Sequence, residues 1–89
     1  MLGTFGGALE ARKVDASDGR LTGNARGEVE NEGGVLVLRR IHVKFTITAH
    51  EEQRETVERV HGFYIGNCPV YRSLEAAIQI TSSFELVPP

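Results

Sequence analysis

The chain has 89 residues, of which 40% are hydrophobic and 25% charged, and its formal charge is -2 at neutral pH. That length holds one domain with a modest core, so a second subunit is a natural source of further burial. The slightly acidic balance speaks against a general nucleic-acid binder, and a single cysteine excludes an internal disulfide framework.

Residues 1–13 read as a helix, with Leu2, Phe5 and Leu9 on one face. Gly3, Gly6 and Gly7 weaken it in isolation and predict close approach of another backbone. An apolar helix starting at Met1 with no cap before it reads as if cut from something longer. No basic segment precedes this stretch and no long apolar run follows, so no signal peptide or membrane span is expected, and the expected location is cytoplasmic. Asp15 to Gly19 is turn chemistry.

Leu21 to Glu30 alternates. Leu21, Gly23, Ala25, Gly27 and Val29 share one face, which predicts a half-buried strand with something bulky against its small residues. Asn31 to Gly34 predicts a hairpin loop. Val35 to Thr48 is a long second strand, with Ile41, Val43, Phe45 and Ile47 pointing one way. Arg39-Arg40 interrupts its alternation, and the plain expectation is that both face solvent at a bulge or sheet edge. The alternative is contact with an anion or carboxylate, which suits guanidinium geometry.

Glu51 to about Ile65 reads as an amphipathic helix, acidic at its positive end, with Val57, Val60 and Tyr64 as its apolar stripe. Gly66-Asn67 supplies a stop. Pro69 to Ala77 is a second short helix, and Ile78, Ile80, Ser82, Phe84 and Leu86 mark a last strand. The order is helix, strand, strand, helix, helix, strand, an α+β arrangement in one domain spanning residues 1–89.

Proline is favoured at the first helical position, so Cys68 is expected at the N-cap of the helix that Pro69 begins. Unpaired N–H groups and the positive end of the helix would face its sulfur and favour thiolate. The plainer alternative is a buried, inert thiol. His42, His50 and His61 lack the short spacing of zinc ligands and are expected as ordinary surface or edge histidines, with no metal and no cofactor. A pairing of His61 with Cys68 is the sharper alternative to exposure. Tyr71-Arg72 offers a guanidinium to the sulfur, or to solvent.

The run Val35-Leu36-Val37-Leu38-Arg39-Arg40-Ile41-His42-Val43, then a helix, then Cys68-Pro69-Val70-Tyr71-Arg72-Ser73-Leu74 leading into Ile78-Gln79-Ile80-Thr81, resembles the OsmC/Ohr family of osmotically inducible and organic-hydroperoxide-resistance proteins. The resemblance covers about residues 2–87. It implies an α+β fold in an intertwined homodimer, with sheets wrapped around central helices and active sites at the subunit interface. Active members are thiol peroxidases. A first cysteine attacks an organic hydroperoxide, and a second, in the Cys-Pro motif, closes a disulfide that a dithiol reduces.

Cys68 matches the second, resolving position. The first cysteine's place would fall at or just before Met1 to Gly3, where the sequence has none. The arginine and glutamate that polarise the peroxide in the family belong to segments before Met1, and Arg39 and Arg40 sit in a different element. The chain therefore resembles the C-terminal two-thirds of such a protein, and a further expectation is that the remaining segment lies in frame upstream of Met1. The resulting expectation is an OsmC-like stress protein with Cys68 as its chemical residue, an organic hydroperoxide and a dithiol as partners, and an incomplete catalytic set. The alternative is a non-catalytic dimeric module that binds a small apolar ligand or a protein partner.

Overall fold

The computed structural model describes all 89 residues. Helix α1 spans Leu2–Ala11, strand β1 Leu21–Glu32 and strand β2 Val35–Thr48. Helix α2 runs Arg54–Phe63 between two 3-10 turns, Glu51–Gln53 and Tyr64–Asn67, and is followed by α3, Pro69–Leu74, and β3, Gln79–Val87. The three strands form one sheet in the order β1-β2-β3, with β1 antiparallel and β3 parallel to β2. The expected α-β-β-α-α-β order is the observed one.

The hairpin turn is tighter than the four-residue loop expected. β1 continues to Glu32, and only Gly33 and Gly34 connect the strands, with φ of +60° and +89°. Two consecutive left-handed residues give the turn whose twist matches antiparallel strands, which is why glycine occupies both positions. Asn31 Oδ1 accepts the Gly34 N–H at 2.9 Å.

Register fixes the core. Val43, Phe45 and Ile47 alternate onto the inner face of β2, opposite Ala25, Gly23 and Leu21. They pack there with Phe5 and Leu9 of α1 and with Val57, Val60 and Tyr64 of the α2 segment. At the other edge Phe45 pairs with Phe84 and Ile47 with Leu86. The half-buried first strand expected from alternation is present only at its start. Leu21 is buried, whereas Thr22 to Glu32 are exposed. Bulky neighbours do meet the small residues, since the Gly23 site faces Leu2 and Phe45 and the Gly27 site faces Leu38. The helices, however, cover the sheet only about as far as Val43. The rest of the hairpin projects beyond them, in a molecule of 50 × 22 × 20 Å.

The close backbone approach expected along α1 is not found: an added Cβ at Gly6 would meet the Leu21 side chain at 3.2 Å, and Gly3 and Gly7 face open space. Helix α3 stops at Leu74, short of the expected Ala77, because Leu74 O accepts from both Ala77 and Ile78 N–H groups and closes a turn into β3.

Arg39 sits at a bulge. Glu28 pairs with Arg40 and Val29 with Leu38, so Arg39 has no partner on β1. Arg40 bonds Glu28 at 2.6 Å and Glu30 at 2.8 Å, while Arg39 pairs with Glu30 and Glu32. Both guanidiniums are thus neutralised within the hairpin, as partly exposed groups at a bulge.

Candidate functional site around Cys68

Cys68 is the N-cap residue of α3, in extended conformation (φ -88°, ψ 117°), with Pro69 at the first helical position. Its carbonyl accepts the first helical bond, from Arg72 N–H at 3.0 Å, and its own N–H is held by Ile65 O at 3.1 Å. The 3-10 turn over Tyr64–Asn67 hands the chain from α2 to this position and packs beside α1. The thiol is wholly buried, yet it stands outside the contiguous apolar core.

Opposing influences act on the sulfur. Burial is the largest and pushes the pKa up, because removing the thiolate from water disfavours it. The Tyr71 N–H, the Met1 amino group and the Val70 N–H all stabilise negative charge on the sulfur, and the amino group adds its own positive charge. Together they outweigh burial, and the pKa lies below that of an ordinary thiol. The sulfur is thus both buried and placed at the helix start, the positions expected on the two readings of the sequence.

The remaining candidates fall elsewhere. His61 neither pairs with Cys68 nor lies on the open surface. It is half-buried beside Phe5 and Phe84, and its Nε2 lies 3.0 Å from Ser82 Oγ. Burial lowers its pKa. Tyr64 Oη donates to the same Ser82 Oγ at 2.8 Å. This group was not foreseen, although Ser82 gave a signal as the one polar residue between Ile80 and Phe84 on the inward face of β3. His42 lies on the outer face of β2, where Nδ1 and Nε2 meet the hydroxyls of Thr81 and Ser83 at 2.7 and 3.0 Å. His50 is exposed ahead of α2. No three His, Cys, Asp or Glu side chains converge on one point. Arg72 donates to Gly66 O at 3.4 Å.

A model of the OsmC-like protein family matches residues 2–83. The chain belongs to this family. No curated protein matches it. Among solved structures, a hypothetical protein from Aquifex aeolicus VF5 is similar with a TM-score of 0.73 at 14% identity, over 99% of this chain and 68% of that one. The organic hydroperoxide resistance protein OhrB of Bacillus subtilis is similar with a TM-score of 0.65 at 13% identity, over 94% of this chain and 62% of its own. An OsmC-like protein from Mycoplasma pneumoniae gives a TM-score of 0.62 at 22% identity, over 97% and 62%. At these identities the likeness shows the fold. The OsmC-like chain spans about two-thirds of the length of these proteins, from 62% to 68%. No helix in it is long and apolar enough to cross a membrane.

Proposed function

We propose that this OsmC-like chain is a cytoplasmic stress protein whose Cys68 thiolate takes part in dithiol-dependent reduction of organic hydroperoxides. One observation carries the proposal: the sole cysteine caps α3 with the Tyr71 and Val70 N–H groups at its sulfur, which favour the nucleophilic form. In the family, the Cys-Pro cysteine resolves a sulfenic acid formed on another cysteine. Within these 89 residues a cycle has to run through one sulfur.

The thiolate attacks the terminal peroxide oxygen. An S–O bond forms, the O–O bond breaks, and the departing alkoxide takes up a proton to become the alcohol. The sulfur is thereby oxidised to a sulfenic acid. One thiol of an external dithiol displaces water from that sulfur to give a mixed disulfide. The second thiol then attacks the mixed disulfide, returning Cys68 as thiolate and leaving the dithiol oxidised.

The test is consumption of cumene hydroperoxide in the presence of dithiothreitol, with trapping of the sulfenic acid by a cyclic dione. Wild type is expected to consume the peroxide catalytically and to form the trapped adduct, and Cys68→Ser to do neither. Equal consumption by both proteins, or no adduct on wild type, overturns the proposal.

A dimer is part of the same reading. It is supported by the uncovered hairpin face, where Val29 is 57% and Leu36 74% exposed, since apolar strand surface of this kind gains from a partner. Leu36→Glu is expected to shift sedimentation from dimer to monomer. A wild-type monomer at micromolar concentration removes the dimer, and with it the alternative of a non-catalytic dimeric binding module.

A further inference from the structure

Val43, Phe45 and Ile47 take the inner face of β2, so a period of two sends His42 and Lys44 to the face turned away from the helices. Their partners on β1 are Arg26 and Asn24. These four side chains, with Glu28, enclose a trough of about 390 Å³ that no apolar residue lines. Sites for apolar ligands are lined mainly by hydrophobic and aromatic side chains, so a ligand here has to be polar. His42 is fixed as the floor of the trough, since Nδ1 and Nε2 meet the Thr81 and Ser83 hydroxyls of β3 at 2.7 and 3.0 Å.

The charges around the trough leave one cation over. Arg26 stands without a hydrogen bond or a salt bridge, whereas every other arginine donates to a carboxylate or a carbonyl. The carboxylates at the rim are committed elsewhere, Glu28 to Arg40 at 2.6 Å and Glu85 to Lys44 at 3.3 Å. Register sets Arg26 opposite His42 and diagonal to Lys44. Diagonal positions lie about 7–8 Å apart, which leaves room for one compact anion between two long side chains. Arg26 brings a planar fork of donors, Lys44 a point charge and Asn24 an amide with two N–H groups. A carboxylate presents its two oxygens in one plane, whereas a phosphate presents oxygens on several sides and can meet all three donors together.

We propose that this trough binds a small phosphate-type oxyanion, with Arg26 as its main ligand and Lys44 and Asn24 completing the contact. Lys44 joins by leaving Glu85, an exchange that costs little because both side chains are 56% exposed and ion pairs between exposed groups are weak. The proposal does not rest on the thiol chemistry, since Cys68 lies on α3 and takes no part in lining the trough.

The experiment is titration of the protein with inorganic phosphate at low ionic strength, where exposed charges are least screened. The side-chain resonances of Arg26 Nε–H and the Asn24 amide report binding. Saturable shifts with a millimolar dissociation constant are expected from phosphate, and no saturation from acetate. Glycerol 3-phosphate separates two sources of the anion: tighter binding than phosphate assigns the site to phosphate monoesters, and equal or weaker binding assigns it to the free ion. Read at Asn24, Arg26→Gln is expected to weaken phosphate binding by about tenfold or more. Arg26→Lys is expected to weaken it less, because the charge stays while the fork is lost. Glu85→Gln frees Lys44 and is expected to tighten binding by about threefold. Arg59→Gln on α2 makes the same change in net charge on the other side of the sheet and is expected to leave binding unchanged. Absence of saturation by phosphate overturns the inference, as does equal binding of acetate. Binding undiminished in Arg26→Gln, or an equal loss in Arg26→Gln and Arg59→Gln, overturns it too.

Discussion

Replacing Phe45 by alanine is expected to lower stability by about 3–5 kcal/mol. Phe45 is fully buried towards the end of β2, the central strand, between Gly23 of β1 and Phe84 of β3. Its ring lies 4.7 Å from that of Phe5 on α1 and 5.7 Å, edge to face, from that of Tyr64. The Gly23 site on β1 leaves its flank clear. Truncation would remove the transfer energy of the ring and leave a cavity that rigid strands and two helices cannot close. Domains of this size have about 5–15 kcal/mol to lose, so the variant is expected to be partly unfolded at room temperature. Urea unfolding followed by circular dichroism measures the loss. A change below about 1 kcal/mol would mean that the helices do not pack on the sheet as described. The same substitution loosens Tyr64, so exposure of Cys68 to alkylating reagents is expected to rise with it.

Local chemistry accounts for the elements that the sequence made legible. Alternation over Ile41, Val43, Phe45 and Ile47 specified the inner face of β2, because a period of two permits only one such face. The Gly33-Gly34 pair specified the turn, and Cys68-Pro69 the start of α3 and the thiol's place on it.

What local sequence did not reveal depends on which elements lie over which. The alternation of β1 is as clean as that of β2, yet only Leu21 is covered, because the extent of α1 and α2 over the sheet is a tertiary property. The parallel course of β3 and the stop at Leu74 come from the return of the chain to the sheet. The meeting of Tyr64, His61 and Ser82 joins residues 18 and 21 positions apart, and no local spacing encodes it. The carboxylates that neutralise Arg39 and Arg40 lie across a hairpin whose register had first to be fixed.

Alkylation of Cys68 is expected to show two properties that rarely occur together. Ionisation should begin at a lower pH than for a free thiol, and the reaction should nonetheless depend strongly on the size of the reagent. The first follows from the Tyr71 and Val70 N–H groups, which favour the thiolate. The second follows because no part of the residue reaches solvent, so a reagent must wait for a local opening. A small neutral reagent such as iodoacetamide should outpace a bulky maleimide by about tenfold or more, a ratio that should vanish in denaturant.

The same pKa directions set the stability profile. Cys68 and His61 both release protons more readily in the folded protein than in the unfolded chain. The unfolded state therefore binds more protons across each window, and stability rises with pH through both. The His61 contribution is complete above pH 6.5 and is lost as pH falls through its lowered folded value. The Cys68 contribution is complete only above pH 9.0 and is lost through a window below it. Tyr64 has the opposite sign: its raised pKa favours folding below pH 10.0, and that contribution declines as the pH passes its folded value. Urea midpoints are thus expected to climb from pH 5 to pH 9, and Cys68→Ser to flatten the upper part of the climb alone. A midpoint that falls between pH 7 and 9 in wild type would mean that burial outweighs the N–H groups, leaving Cys68 a neutral thiol in the range where the proposed chemistry needs a thiolate.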